Sequence, residues 1–148
     1  MRNRIIVLGF ILFSGAFIME ACQSEQELNY ARYYMNGKQV YEQHCQNCHG
    51  TDGRGLAKLY PALTDTLYLK NNKSQLACFI KNGLNDTITV NNIEFSGQMP
   101  AESHLPDIDI AAVITYITNS FGNKQGLYDV AKAGADIKAC QDLNDDKQ

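Results

Sequence analysis

The stretch that decides the fold is Cys45-Gln46-Asn47-Cys48-His49. In a Cys-x-x-Cys-His run, the two thiols add to the vinyl groups of a haem and the adjacent histidine ligates the iron. The two intervening residues let one turn of backbone present both sulfurs to one edge of the porphyrin. We therefore predict a covalent haem attached through Cys45 and Cys48, with His49 as an axial ligand.

A bare Cys-x-x-Cys pair has two other interpretations. It is also typical of a thioredoxin-like redox pair and of half a zinc site. The histidine directly after Cys48 and an export signal at the N-terminus favour haem over both. A haem-free zinc or dithiol protein stays open as an alternative.

The N-terminal residues have the pattern of that export signal. Arg2 and Arg4 precede an apolar run from Ile5 to Ile18, which is too short for a typical membrane-spanning helix. We predict a lipoprotein-type signal peptide over residues 1–21.

Cys22 is the predicted lipidation site. It directly follows Ala21, as at a bacterial lipoprotein processing site, although Glu20 departs from the usual apolar or small residue. Ordinary cleavage near Ala21 and an uncleaved anchor are the alternatives. Lipidation predicts a protein anchored on the periplasmic side of a bacterial membrane, with residues 22–34 as a polar tether.

The remaining chain, residues 35–148, has the length of one small domain. The formal net charge of the whole sequence is −3 at pH 7 with neutral histidines. This mildly acidic balance is not that of a nucleic-acid-binding protein. Within the domain, we expect the first helix to begin near Met35 or Asn36 and to run into the haem motif.

The segment GKQVYEQHCQNCHGTDGRG, Gly37 to Gly55, resembles the opening of class I cytochromes c. The resemblance covers roughly residues 36–123 and is closest to lipoprotein-like monohaem cytochromes of the Bacteroidetes type. It implies an all-α cytochrome c fold, with three main helices around one covalent haem c. It also implies that the carbonyl of Pro61 accepts a hydrogen bond from His49 and orients that ring.

Met99 is the only methionine after the haem motif, and Pro100 follows it. In the resembled family, a methionine followed by proline supplies the sixth iron ligand. The alternative is a methionine of the core. His44 and His104 are competing ligands of lower rank.

Three further elements are predicted between the haem motif and the C-terminus. A helix from Lys73 or Ser74 to Lys81 would end at Gly83. A β-hairpin over residues 87–95, turning at a pair of asparagines, would form an insertion before Met99. A long helix from Pro106 or Asp107 to Asn119 would bury one apolar stripe.

The resemblance also implies that the first helix of the domain, which runs into the haem motif, crosses the long helix that ends at Asn119. At this crossing Gly37 would meet the aromatic Tyr116. Related sequences often carry tryptophan where this chain has Phe121, which lacks an N–H to bond a haem propionate.

Cys78 and Cys140 remain after Cys22 is assigned to lipid and the motif cysteines to haem. In an oxidising compartment, such a pair predicts a disulfide. Two reduced, buried thiols are the alternative.

Together with the haem motif, the resemblance implies a carrier of single electrons between redox partners of a respiratory chain, and the N-terminal pattern predicts that it is held at a membrane through Cys22. No catalytic residue is predicted, because a haem ligated on both faces has no open position for a substrate. An enzyme subunit or gas sensor, in which Met99 is unbound or displaced, is the second hypothesis.

Overall fold

The computed structural model describes the backbone of residues 25–145 and the side chains of residues 25–140. The predicted signal peptide over residues 1–21 and the predicted lipidation of Cys22 lie outside the described residues. Within the described residues, no helix combines the length and the apolar character needed to cross a membrane.

The described residues up to Arg32 and those from Tyr33 onward belong to two separate units. Residues 25–44 are helical, and helix α1 is the part that belongs to the second unit, residues 33–44. The prediction that this helix begins near Met35 is wrong. Residues 25–34 contain no glycine or proline and start with acidic residues, a composition that favours a helix and its N-terminal end.

The second unit is mostly helical with one small antiparallel sheet. Its further helices are α2 (Gln46–His49), α3 (Thr66–Asn71), α4 (Leu76–Asn82), α5 (Asp107–Ile117) and α6 (Val130–Asp145). Its strands are β1 (Ile88–Val90) and β2 (Ile93–Phe95).

Helix α5 forms the centre of the core. Its residues 110–117 are all buried, so the buried surface is wider than the predicted single stripe. The buried Thr115 is satisfied because its hydroxyl donates to the Tyr128 carbonyl at 2.9 Å. Helices α4 and α6 both pack against α5.

The middle of the chain contains two helices where one was predicted. Helix α3 is the additional one, and the Asp65 side chain caps it by accepting from the Tyr68 N–H at 3.0 Å. Helix α4 begins at Leu76, after Gln75, so the predicted start at Lys73 or Ser74 is two to three residues too early. Its end at Gly83, with φ of 75°, agrees with the predicted stop.

Strands β1 and β2 pair with Ile88 opposite Phe95 and Val90 opposite Ile93. Asn91 and Asn92 connect them, and both have positive φ, 51° and 60°. Asparagine tolerates this left-handed backbone better than most residues, which explains the two-residue turn.

A disulfide joins Cys78 of α4 to Cys140 of α6, with the two Cα atoms 6.2 Å apart. Helix α6, which carries Cys140, is not predicted from the sequence. The disulfide therefore closes a 62-residue separation between two helices that both pack on α5.

Candidate haem-binding site

The Cys-x-x-Cys-His motif begins where α1 ends. Cys45 is the residue before α2, and its N–H still donates to the Tyr41 carbonyl at 2.9 Å. The thiols of Cys45 and Cys48 are free, and both line the same cavity as His49. One helical turn thus presents two sulfurs and an imidazole to one space.

His49 is oriented by a backbone carbonyl. Its Nδ1 lies 3.0 Å from the carbonyl oxygen of Pro61. A carbonyl only accepts, so Nδ1 carries the proton and Nε2 presents a lone pair. Burial lowers the pKa of His49, and the bond to Pro61 acts in the opposite direction more weakly. The ring is therefore a neutral imidazole, the form that ligates a metal.

The loop after the motif is tied back onto it. The Gly55 N–H donates to the His49 carbonyl at 2.9 Å, and the Tyr41 hydroxyl donates to the Gly50 carbonyl at 2.6 Å. Gly55 has φ of 66°, and a Cβ there would overlap the carbonyls of Tyr60 and Pro61. Glycine at this position therefore permits the close approach that brings Pro61 to His49.

Met99 is held by two backbone hydrogen bonds to Leu84. The Leu84 N–H donates to the Met99 carbonyl at 3.0 Å, and the Met99 N–H donates to the Leu84 carbonyl at 2.8 Å. Gly83, just before Leu84, leaves room for this contact because a Cβ there would lie 2.6 Å from the Met99 carbonyl oxygen. Met99 lines the same cavity as His49.

The rest of the cavity wall is almost entirely apolar, and its side chains come from helices and strands spread along the chain. They include Leu69, Leu76, Phe79, Ile80, Val90, Phe95, Val113 and Ile117. Two free thiols on one turn, a neutral imidazole and a thioether in a single apolar cavity are the groups that a covalent haem requires. The described residues therefore fit this group.

The electrostatics of Cys45 disfavour the dithiol alternative. Burial, the Glu102 carboxylate and neighbouring Cys48 together raise the pKa of the Cys45 thiol to about 12. A reactive Cys-x-x-Cys pair needs a lowered pKa to supply a thiolate at neutral pH. Cys45 has the opposite environment.

The two competing histidines have different positions. His44 lines the cavity, and its Nδ1 lies 3.2 Å from a carboxylate oxygen of Glu102. His104 is 66% exposed and is not among the described residues that line the cavity. The structure thus brings Cys45, His49 and Met99 to one cavity, whereas His104 does not line it.

Phe121 packs with Tyr41 and Tyr116, at ring-centroid distances of 5.4 and 5.7 Å. It also covers Gly53, where a Cβ would lie 2.5 Å from the Phe121 ring. Phe121 therefore closes the loop after the motif onto α1 and α5.

Asn123 is a structural residue that sequence reasoning missed. It is buried, and its Nδ2 donates to the carbonyls of Leu63 and Ile117, both at 2.9 Å. Its Oδ1 accepts from the Thr66 hydroxyl at 2.7 Å. Asn123 therefore ties the Pro61 loop to the end of α5, and no local sequence pattern announces this.

Comparison with known proteins identifies relatives of the chain. The family model described as "Cytochrome C oxidase, cbb3-type, subunit III" matches residues 33–117. A "Cytochrome c-552" of Thermus thermophilus is 28% identical over 121 residues, which are 79% of this chain and 72% of that protein. A second Thermus thermophilus "Cytochrome c-552" is 28% identical over 92 residues, 60% of this chain and 70% of that protein.

Proposed function

The chain belongs to the cytochrome c family described as cytochrome c oxidase, cbb3-type, subunit III, and we propose that this haem c electron-transfer protein carries one electron at a time with His49 and Met99 as its iron ligands. The observation that carries the proposal is the shared apolar cavity. Both side chains line it together with the free thiols of Cys45 and Cys48. When bound, one haem c supplies the redox-active iron.

Each of these residues has a distinct proposed role. The thiols of Cys45 and Cys48 would hold the haem through thioether links, and Nε2 of His49 would ligate its iron. The hydrogen bond from Nδ1 of His49 to Pro61 supports this role, because it fixes the ring and increases the basicity of the other nitrogen. A thioether such as that of Met99 favours the reduced iron and raises the reduction potential.

The backbone pairing of Met99 with Leu84 supports a held sulfur ligand rather than an open iron position. The apolar wall supports the same function, because it keeps water from the metal and limits the charge rearrangement that accompanies electron transfer. We assign no catalytic acid or base to the cavity.

The proposed partners are redox proteins of a respiratory chain, which dock weakly at the mouth of the cavity. Leu59 and Tyr60 support this placement, because they line the cavity and are also exposed to solvent. Lipidation of Cys22 would hold the protein on the periplasmic side of a bacterial membrane. The proposed assignment of the protein to the lipoprotein-like Bacteroidetes type depends on Cys22.

The test is to express the domain from about Ser24 together with the cytochrome c maturation machinery. A covalent haem stain on a denaturing gel is expected, and its absence would leave the zinc or dithiol alternative. Spectra of both oxidation states should show a low-spin haem with a weak far-red sulfur-to-iron band and no reaction with carbon monoxide. A high-spin or carbon-monoxide-reactive haem would instead indicate the open-iron sensor or enzyme subunit.

A further inference from the structure

Three potential metal-ligating side chains converge beside the haem cavity. They are His44, Glu102 and His104, and one ligand atom from each lies within 4.8 Å of the others. A carboxylate oxygen of Glu102 is 3.2 Å from Nδ1 of His44 and 3.6 Å from Nε2 of His104. None of the three has a role in the proposed haem ligation.

The two distances to Glu102, 3.2 and 3.6 Å, match those between ligands of one metal ion. Bonds of about 2.1 Å to imidazole nitrogen and carboxylate oxygen place tetrahedral ligands about 3.4 Å apart. Two imidazoles with one carboxylate suit Zn²⁺ and, among transition metals, bind Cu²⁺ most tightly. We propose that His44, Glu102 and His104 form a binding site for a divalent transition-metal cation of the zinc and copper class.

The backbone prearranges this site. His44 is the last residue of α1, and Glu102 is fixed because its N–H donates to the Ile80 carbonyl at 2.9 Å. The Glu102 carbonyl in turn accepts from the Leu105 N–H at 3.1 Å, which bends the chain around His104. The Glu102 side chain is 19% exposed and that of His104 is 66% exposed. The solvent side therefore leaves space for a water as fourth ligand.

The site connects the two segments that carry the haem-binding residues. His44 directly precedes Cys45, and Glu102 follows Met99 by three positions. His44 and Glu102 also line the haem cavity. A bound cation would join α1 to the Met99 segment and place positive charge beside the cavity, which disfavours the oxidised iron. This redox consequence rests on the proposed function, whereas cation binding does not.

A metal-free arrangement is the competing explanation, in which the Glu102 carboxylate makes only polar contacts with the two imidazoles, at 3.2 Å to His44 and 3.6 Å to His104. The sequence makes the two explanations separable, because its three histidines are His44, His49 and His104. With His49 assigned to haem, any histidine-dependent cation binding must use His44, His104 or both, and H44A and H104A test each.

The experiment is calorimetric titration of the haem-loaded, chelator-treated protein with ZnCl₂ in a non-coordinating buffer. We expect one Zn²⁺ per chain, and weakening by more than about 10-fold in H104A and E102Q. The control E94Q, an exposed strand glutamate, should bind like the parent. Absence of one-to-one binding, or equal binding by the parent, H44A and H104A, would overturn the site.

His104 is the most informative position because it is exposed and outside the cavity lining, so H104A should keep the haem spectrum and the melting temperature. A second measurement records the reduction potential with and without Zn²⁺. A positive shift in the parent but not in H104A is expected. Binding without a shift would retain the site and refute its redox coupling. A chain purified without haem would refute the proposed function. In that chain the free Cys45, Cys48 and His49 could also bind Zn²⁺, so the cation site would be tested by the part of the binding that is lost in H104A and E102Q.

Discussion

Gly37 of α1 packs directly against Tyr116 of α5: a Cβ on Gly37 would lie 2.9 Å from the Tyr116 Cβ and would overlap the Ala112 carbonyl. The rings of Tyr34 and Tyr41 flank the contact, with centroids 5.2 and 5.3 Å from that of Tyr116. This is the pairing implied by the resemblance to class I cytochromes c. It sets the crossing of α1 and α5, and through α1 it sets the position of the haem motif.

Gly37→Ala should therefore lower the free energy of unfolding by about 1–3 kcal/mol or more, because the added methyl meets backbone that cannot move aside. The matched control is Gly134→Ala in α6, where a Cβ would meet only the Asp107 side chain at 3.5 Å. That change should be neutral or stabilising by up to about 1 kcal/mol. Denaturant unfolding measures both, and equal effects would contradict tight packing at Gly37.

Gly55→Ala should disturb the His49 ring without touching it. The added methyl would displace the Pro61 carbonyl and weaken the hydrogen bond that Nδ1 of His49 donates to it. The imidazole would then donate its electron pair to the iron less strongly, so the reduction potential should rise. Gly126→Ala is the control, since Gly126 has a similar φ of 74° but open space around its Cα. Both variants place alanine at a similar positive φ, and equal reduction potentials would show that contact with Pro61 is unimportant.

The parts of the fold that were predicted depend on local patterns. The Cys-x-x-Cys-His run needs only adjacent residues, and the paired Asn91 and Asn92 announce a turn through their tolerance of positive φ. The mostly helical fold follows from the resemblance and agrees with the family match over residues 33–117.

The missed parts depend on residues far apart in sequence. Helix α6 is polar in composition and is stabilised by packing on α4 and α5, and the two buried residues among its described side chains, Ala133 and Ile137, give too short an apolar pattern to predict that packing. Asn123 and the group of His44, Glu102 and His104 are brought together by tertiary folding alone. Single residues of these types are too common in loops to be recognised without a structure.

Removing the disulfide should destabilise the fold without removing haem. For a loop of 62 residues, the chain-entropy relation gives about 4 kcal/mol. The free energy of unfolding of the double variant Cys78→Ala/Cys140→Ala should be lower than that of the parent by about this amount. A thiol reductant should lower the free energy of unfolding of the parent to the same extent. Thioether links are not reducible in this way, so the covalent haem stain should persist. No effect of reductant on parent unfolding would show that the bond is absent.

Tyr128 should make stability depend on alkaline pH. Burial, followed by its hydrogen bond to Asp136 at 2.6 Å, raises the pKa of Tyr128 well above its ordinary value of about 10. The folded state therefore prefers the neutral phenol, and this contribution is complete below pH of about 10 and is lost as pH rises further. Tyr128→Phe should be less stable at neutral pH and should lose stability less steeply above pH of about 10. Identical slopes would contradict the raised pKa.

Met99→Leu separates the proposed ligand role of the thioether from its packing role. Leucine is apolar and similar in volume to methionine, so the free energy of unfolding should fall by less than about 1.5 kcal/mol. The sulfur-to-iron band should nevertheless disappear, carbon monoxide should bind the reduced protein, and the reduction potential should fall because the thioether no longer favours Fe(II). Met35→Leu, at an exposed position of α1, is the control and should leave all three properties unchanged. If Met99→Leu also left these properties unchanged, the sixth ligand would be another residue. His44 lines the same cavity and would be the next residue to substitute.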